Sequence, residues 1–244
     1  AVQMELFHRL SGPRLLNELV LLLSEDSPSN GLARLRDLDL LRCIHPDLAA
    51  APRTKGLINA VERTLHWASM ALAGEDKDAQ ATPPSEPAAA YHPWIVVFLA
   101  LCEHLSPAAW DEMVTRLHCA KQDVVIMTAA RTGWNTVGPA LMRRGAMRPS
   151  AIYRLLHPYA LEAILFFMAK VTAPMVNKRL ADYVTVSRSV HPVLSGKDLV
   201  ALGLTTGPQF RAILDRLLDA RLDGEVHTRA DEVTLAQAFA AGVR

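Results

Sequence analysis

Proline decides where this chain can be helical. Ser11-Gly12-Pro13, Ser27-Pro28, Ser106-Pro107, Arg148-Pro149-Ser150, Thr172-Ala173-Pro174 and Gly207-Pro208 each set a proline at the head of a segment rich in leucine and alanine. A first-turn proline is tolerated because its missing N–H would have no partner there, and Ser, Thr or Gly before it suits the cap. His45-Pro46 and His157-Pro158 act the other way, since the residue before a proline is pushed out of the helical region. Between these marks apolar residues recur three and four apart, as in Leu15, Leu16, Leu19, Leu22 and Leu23. Half of the 244 residues are hydrophobic and alternating β-branched runs are rare. The expectation is an all-α protein with about a dozen helices in an elongated or curved array.

The punctuation predicts helices from Pro13 through the Leu22-Leu23 stripe, from Pro28 to Asp37, over a short Leu38–Ile44 piece, and over 54–73, where Trp67 is expected to turn into the core. Residues 74–90 are acidic, proline-rich and almost free of large apolar side chains, which marks a loop or linker. Further helices are expected over Tyr91–His104, Pro107–Cys119, 121–132 and 136–145, the last two joined through Gly133-Trp134-Asn135. Others follow Pro149, cover Tyr159–Val171, and run from Pro174 to Ser187. Three stretches result: 1–52, 53–148 with the 74–90 loop inside it, and 149–244.

Several function classes find no support. No apolar run approaches the roughly 20 residues of a membrane span, and Ala1–Glu5 has no basic region leading an apolar one, so no signal peptide is legible. The first residue is Ala, as in a processed chain or a piece of a longer one. Cys43, Cys102 and Cys119 are odd in number and far apart, which fits reduced thiols and a cytoplasmic location. Cys102-Glu103-His104 and His118-Cys119 have no metal-ligand spacing, so no metal site is expected. Asp37-Leu-Asp39 and Asp76-Lys-Asp78 match D-x-D in letters only: neither follows a Gly-Gly turn or a strand, and both are expected to be solvated carboxylates. No catalytic residue is assigned.

Net charge is +1, but it is unevenly spread. Residues 1–113 carry 9 Lys/Arg against 15 Asp/Glu, residues 114–197 carry 12 against 3, and residues 198–244 carry 5 against 7. Arg131, Arg143, Arg144 and Arg148 surround two turns, and Lys178, Arg179 and Arg188 follow on one predicted helix. A basic third of this kind can offer a polyanion-binding face in a nearly neutral protein.

The most particular run is residues 195–232. Ser195 caps a short helix carrying Leu199 and Leu202, Gly203 ends it, and Gly207-Pro208 opens a second helix with Phe210, Ile213, Leu214, Leu217 and Leu218 on one face. Asp223-Gly224 closes that helix, and Thr228 with Asp231 and Glu232 starts another. Lys197-Asp-Leu, Leu202-Gly-Leu, Gly207-Pro208, Ile213-Leu214 and Leu222-Asp-Gly-Glu, in this order, resemble the tail of bacterial class II tRNA nucleotidyltransferases, the CCA-adding, A-adding and poly(A) polymerase family. Near the other end, Arg9-Leu-Ser-Gly-Pro-Arg-Leu-Leu-Asn-Glu-Leu and Leu38-Asp-Leu-Leu-Arg-Cys-Ile-His-Pro-Asp-Leu resemble the segment after that family's neck. Pro149-Ser-Ala-Ile-Tyr-Arg-Leu-Leu and Leu161-Glu-Ala-Ile-Leu-Phe-Phe-Met-Ala resemble its body. The likeness is weakest over 54–147.

The resemblance implies the neck end, body and tail of such an enzyme, without its catalytic head. The family's head carries a Gly-Gly loop and D-x-D on a sheet, and its neck an E-D-x-x-R motif; neither is present here. It further implies that this chain performs no chemistry alone, that Mg²⁺ and a nucleoside triphosphate belong to the head, and that the partners are tRNA and that head, with no DNA and no membrane. On the family's pattern, RNA contacts fall at Arg143, Arg144, Arg148, Lys178, Arg188, Lys197 and Arg211. The alternatives are a helical protein–protein adaptor docking through the Gly207-Pro208 hairpin, and a helix-turn-helix DNA binder reading with 208–222.

Overall fold

The computed structural model describes residues 11–50, 54–73, 91–143, 145–204 and 207–242. The expected 74–90 loop and Arg144 lie outside them. The described residues form thirteen α-helices and no strand. In chain order these are α1 (Gly12–Leu23), α2 (Pro28–Asp37), α3 (Leu41–Ile44), α4 (Thr54–Leu72), α5 (Pro93–Leu101), α6 (Pro107–Leu117) and α7 (Lys121–Leu141). They continue with α8 (Pro149–Leu156), α9 (Leu161–Lys170), α10 (Pro174–Thr185), α11 (Gly196–Ala201), α12 (Pro208–Leu222) and α13 (Arg229–Gly242). Short 3-10 turns at Pro46–Ala50 and Ser187–Ser189 follow α3 and α10.

The proline marks fall where the elements begin: α1, α2, α5, α6, α8 and α12 all carry a proline in the first turn. Gly203 and Gly224 follow α11 and α12 with φ of +81° and +72°, the left-handed geometry that closes a helix at little cost to glycine. One expected break is absent. Residues 121–132 and 136–145 are not two helices; α7 runs unbroken through Gly133 and contains Pro139. Gly133 is there for space. A Cβ at that position would lie 2.3 Å from Cε1 of Tyr159, so glycine admits the tyrosine ring against the helix. Trp67, expected in the core, is only half-buried.

Contacts divide the chain into two compact units. The first comprises residues 1–140 and 159–177. Its centre is α5 and α9, whose residues Trp94–Leu101 and Leu161–Ala169 are buried on every face, as expected of helices that are apolar all round. They pack on each other and on α4. Phe98 meets Trp110, and Phe167 meets Trp134 and Tyr159, with ring centroids 5.4–6.0 Å apart. Buried Glu162 accepts the His92 backbone N–H at 2.9 Å, satisfying a donor at the head of α5.

The second unit comprises 141–158 and 178–244. Leu194, Leu199, Ile213, Leu217 and Ala236 form its core, with Phe210 and Leu214 packed at the margin. Ser195 and Asp198 form a reciprocal capping box at the start of α11. Asp231 accepts from the backbone N–H groups of His227 and Thr228 at the start of α13.

Candidate nucleic-acid interface

The basic residues of 114–197 sort into two kinds. Arg116 donates to the carbonyls of Cys43 and Ile44 at the end of α3, at 2.6 and 2.8 Å. Arg131 lies over the Trp110 ring at 4.6 Å and donates to the carbonyls of Cys102 and Leu105 just beyond α5. Arg179 is buried and donates to the carbonyls of Leu141, Arg143 and Gly145 at and beyond the end of α7. All three bind backbone carbonyl oxygens at or just beyond a helix end. The charge pattern sets Arg131 and Arg179 on the basic face; the fold makes them structural clasps.

The second kind is exposed. Arg143 sits in the loop after α7 with its side chain in solvent, on backbone that Arg179 holds. Arg148 precedes α8, is 77% exposed, and lies 3.9 Å from both Asp223 and Glu225. Lys178, next in sequence to the Arg179 clasp, is 75% exposed and pairs with Asp182 one turn on, at 3.2 Å. Such exposed pairs are weak, so both side chains can turn to an incoming phosphate. Arg179 thus ties the loop that bears Arg143 to the helix that bears Lys178. Arg188 lies in the 187–189 turn, half-buried. Lys197 and Arg211 are exposed in the first turns of α11 and α12. Thr206, just before α12 in the sequence, lies outside the described residues.

The carboxylates of α12 are already engaged. Asp223 accepts the Ser150 N–H at 2.9 Å and its hydroxyl at 2.8 Å, capping α8 from outside. Arg154 donates to both oxygens of Asp219 at 3.0 Å and to the Asp215 carbonyl at 3.1 Å, and the hydrogen bond to Asp219 raises its pKa. With α8 and α13 both packed against it, α12 is not the free recognition helix that the helix-turn-helix alternative requires.

Sequence reasoning missed the deepest charge in this unit. Glu232 is wholly buried, accepts the backbone N–H groups of Val193 and Leu194 at 3.1 and 2.9 Å, and pairs with Arg221 at 2.7 Å. Asp231 beside it does the capping, which hid the inward role of Glu232 in the sequence.

The Cys102 thiol contacts the Met113 sulfur at 3.7 Å, and burial pushes its pKa far up. Burial likewise raises Cys119 to about 11, so neither is poised as a nucleophile. Among the described residues no group of His, Cys, Asp and Glu could hold a metal ion, and no single helix is long and apolar enough to cross a membrane.

Residues 3–51 match the family model described as the probable RNA and SrmB-binding site of polymerase A. Over 240 residues, 97% of its length, the chain is 35% identical to an A-adding tRNA nucleotidyltransferase of Geobacter sulfurreducens. This chain is related to part of a tRNA nucleotidyltransferase. It spans about a quarter of that relative, 26% of its length. The same fold occurs in the Thermotoga maritima CCA-adding enzyme complexed with tRNA, with a TM-score of 0.70 at 18% identity, over 98% of this chain and 53% of that one. A structure of a tRNA-processing enzyme complex matches with a TM-score of 0.68 at 16% identity, over 91% and 54%. The nucleotidyltransferase likeness therefore runs through both units, including the 54–147 stretch where the motifs are weakest.

Proposed function

We propose that this chain is the tRNA-binding portion of a tRNA 3′-terminal nucleotidyltransferase, A-adding, CCA-adding or poly(A) polymerase-like. It holds the acceptor–T arm through phosphate and shape contacts while a separate head does the chemistry. The observation that carries this reading is the 35% identity to the A-adding enzyme across 97% of the chain. The exposed cations Arg143, Arg148, Lys178, Lys197 and Arg211 supply phosphate partners, and neither a base-reading motif nor a catalytic carboxylate set accompanies them. Recognition of an RNA helix by backbone and shape needs no such motif.

The whole enzyme acts in the cytoplasm, with Mg²⁺ and the nucleoside triphosphate held by its head. The test is binding of a T-arm minihelix by this chain, compared with an unrelated DNA duplex of equal length, across a salt series. Tighter RNA binding that persists above about 0.15 M salt, where weak phosphate contacts fade, supports the reading. Equal affinity for the two removes tRNA as the partner. The chain alone is expected to incorporate no nucleotide.

A further inference from the structure

Resting on the RNA reading above, we infer that His157 is a stacking platform: its imidazole lies flat on Tyr153 and offers its outer face to an unstacked base of the bound RNA. Tyr153 and His157 are one turn apart at the end of α8, with ring centroids 4.7 Å apart and planes 17° apart. The His157 backbone N–H donates to the Tyr153 carbonyl at 2.7 Å, fixing the spacing. Tyr153 is 5% exposed and leans on Tyr183, itself 3% exposed, at 6.0 Å. His157, by contrast, is exposed. One face of the imidazole is therefore packed on a buried tyrosine, while the residue as a whole is open to solvent.

Two arginines lie near this stack. Arg154, one turn before His157 on the same helix, is held by Asp219. Arg188 arrives on the 187–189 turn, which packs against α8. Its charge acts on Tyr183, whose phenol burial pushes up to about 12. A preorganised aromatic ring is what single-stranded nucleic acid uses, because every base has a π-face to stack. Duplex RNA cannot use it, since its bases are stacked on one another; a loop or splayed end can. A tyrosine–histidine pair one turn apart also steadies a helix end, and that role alone would show no preference between RNAs.

The experiment compares an RNA hairpin, with 2-aminopurine in its loop, and a blunt duplex of the same stem, using the full chain. His157→Ala is expected to weaken hairpin binding by about 5- to 100-fold, leave duplex binding unchanged, and abolish 2-aminopurine quenching. His157→Phe, which keeps a ring, is expected to retain all three. If His157→Ala melts early, His157→Gln keeps a side chain of similar length without the ring and serves instead. Equal effects on hairpin and duplex, or none on either, overturn the platform while leaving RNA binding standing. Failure of the unaltered chain to bind either RNA overturns both readings.

Discussion

Arg221 reaches Glu232 with an N–O distance of 2.7 Å, and the carboxylate it meets has no exposure at all. Glu232 also holds the backbone at Val193 and Leu194, so one side chain ties α13 to α12 and to the segment leading into α11. Arg221→Ala leaves the Glu232 charge buried without its counter-ion and is expected to cost about 3 kcal/mol. Glu232→Ala removes the charge and leaves the part-exposed arginine to water, so its cost, about 1–3 kcal/mol, is that of stranding the two backbone N–H groups. Denaturant unfolding followed by circular dichroism measures both. A cost for Arg221→Ala well below that for Glu232→Ala would show that the two backbone hydrogen bonds, rather than the ion pair, carry the interaction.

Arg179 and Arg143 should separate stability from binding. Arg179→Ala strands three carbonyls and is expected to destabilise the chain by about 2–4 kcal/mol. Arg143→Ala should leave the melting temperature unchanged, weaken RNA binding for all sequences alike, and lower the salt slope by about 1. Lys197→Ala and Arg211→Ala should behave like Arg143→Ala. Any of these that leaves the salt slope untouched does not contact phosphate.

Gly133→Ala tests whether that glycine makes space or breaks a helix. Alanine favours a helix over glycine by about 1 kcal/mol, but a Cβ 2.3 Å from the Tyr159 ring forces the ring out of place. Overpacking of this kind costs about 1–3 kcal/mol, so a net loss is expected. A rise in thermal stability would refute the close contact.

Acid should weaken the second unit through Asp198 and Asp231. Hydrogen bonds from the hydroxyl and backbone of Ser195, then from Arg229, hold Asp198 well below the ordinary carboxylate range. Backbone N–H groups of His227 and Thr228 do the same for Asp231. A carboxyl depressed in the folded state contributes stability that is full above its unfolded value, about 3.9, and lost as pH falls below it. Unfolding midpoints measured from pH 6 down to pH 2 are expected to drop below about pH 4, and more shallowly in Asp198→Asn. An unchanged slope in that variant would remove Asp198 from the account.

The helical class and most element starts were legible because proline and its capping neighbours act locally. Ser106-Pro107, Ser195 with Asp198, and Thr228 with Asp231 each specify a helix start within four residues. What stayed hidden was set by partners far along the chain. Nothing around Gly133 announces Tyr159, so the glycine read as a break. Glu232 looks like a second capping acid until Val193 and Leu194 are brought to it. The basic third was visible as a charge excess, but an arginine bound to a carbonyl and one open to solvent are spelled alike. Arg131 and Arg179 therefore read with the same basic face as Arg143 and Lys178, and only the fold separates the two clasps from the two exposed side chains. His157 read only as the stop before Pro158, because the Tyr153 ring beneath it is packed against Tyr183, far along the chain.

The carbonyl clasps have a consequence in time rather than in space. A carbonyl is neutral, so Arg116, Arg131 and Arg179 keep their full charge while losing their reach. They can draw a polyanion toward the protein but cannot hold it. On the RNA-binding reading proposed above, exposed cations such as Arg143 do both. The arrival rate of an anionic partner should therefore fall with salt more steeply than its departure rate rises, and the length of its stay should depend on the exposed side chains alone.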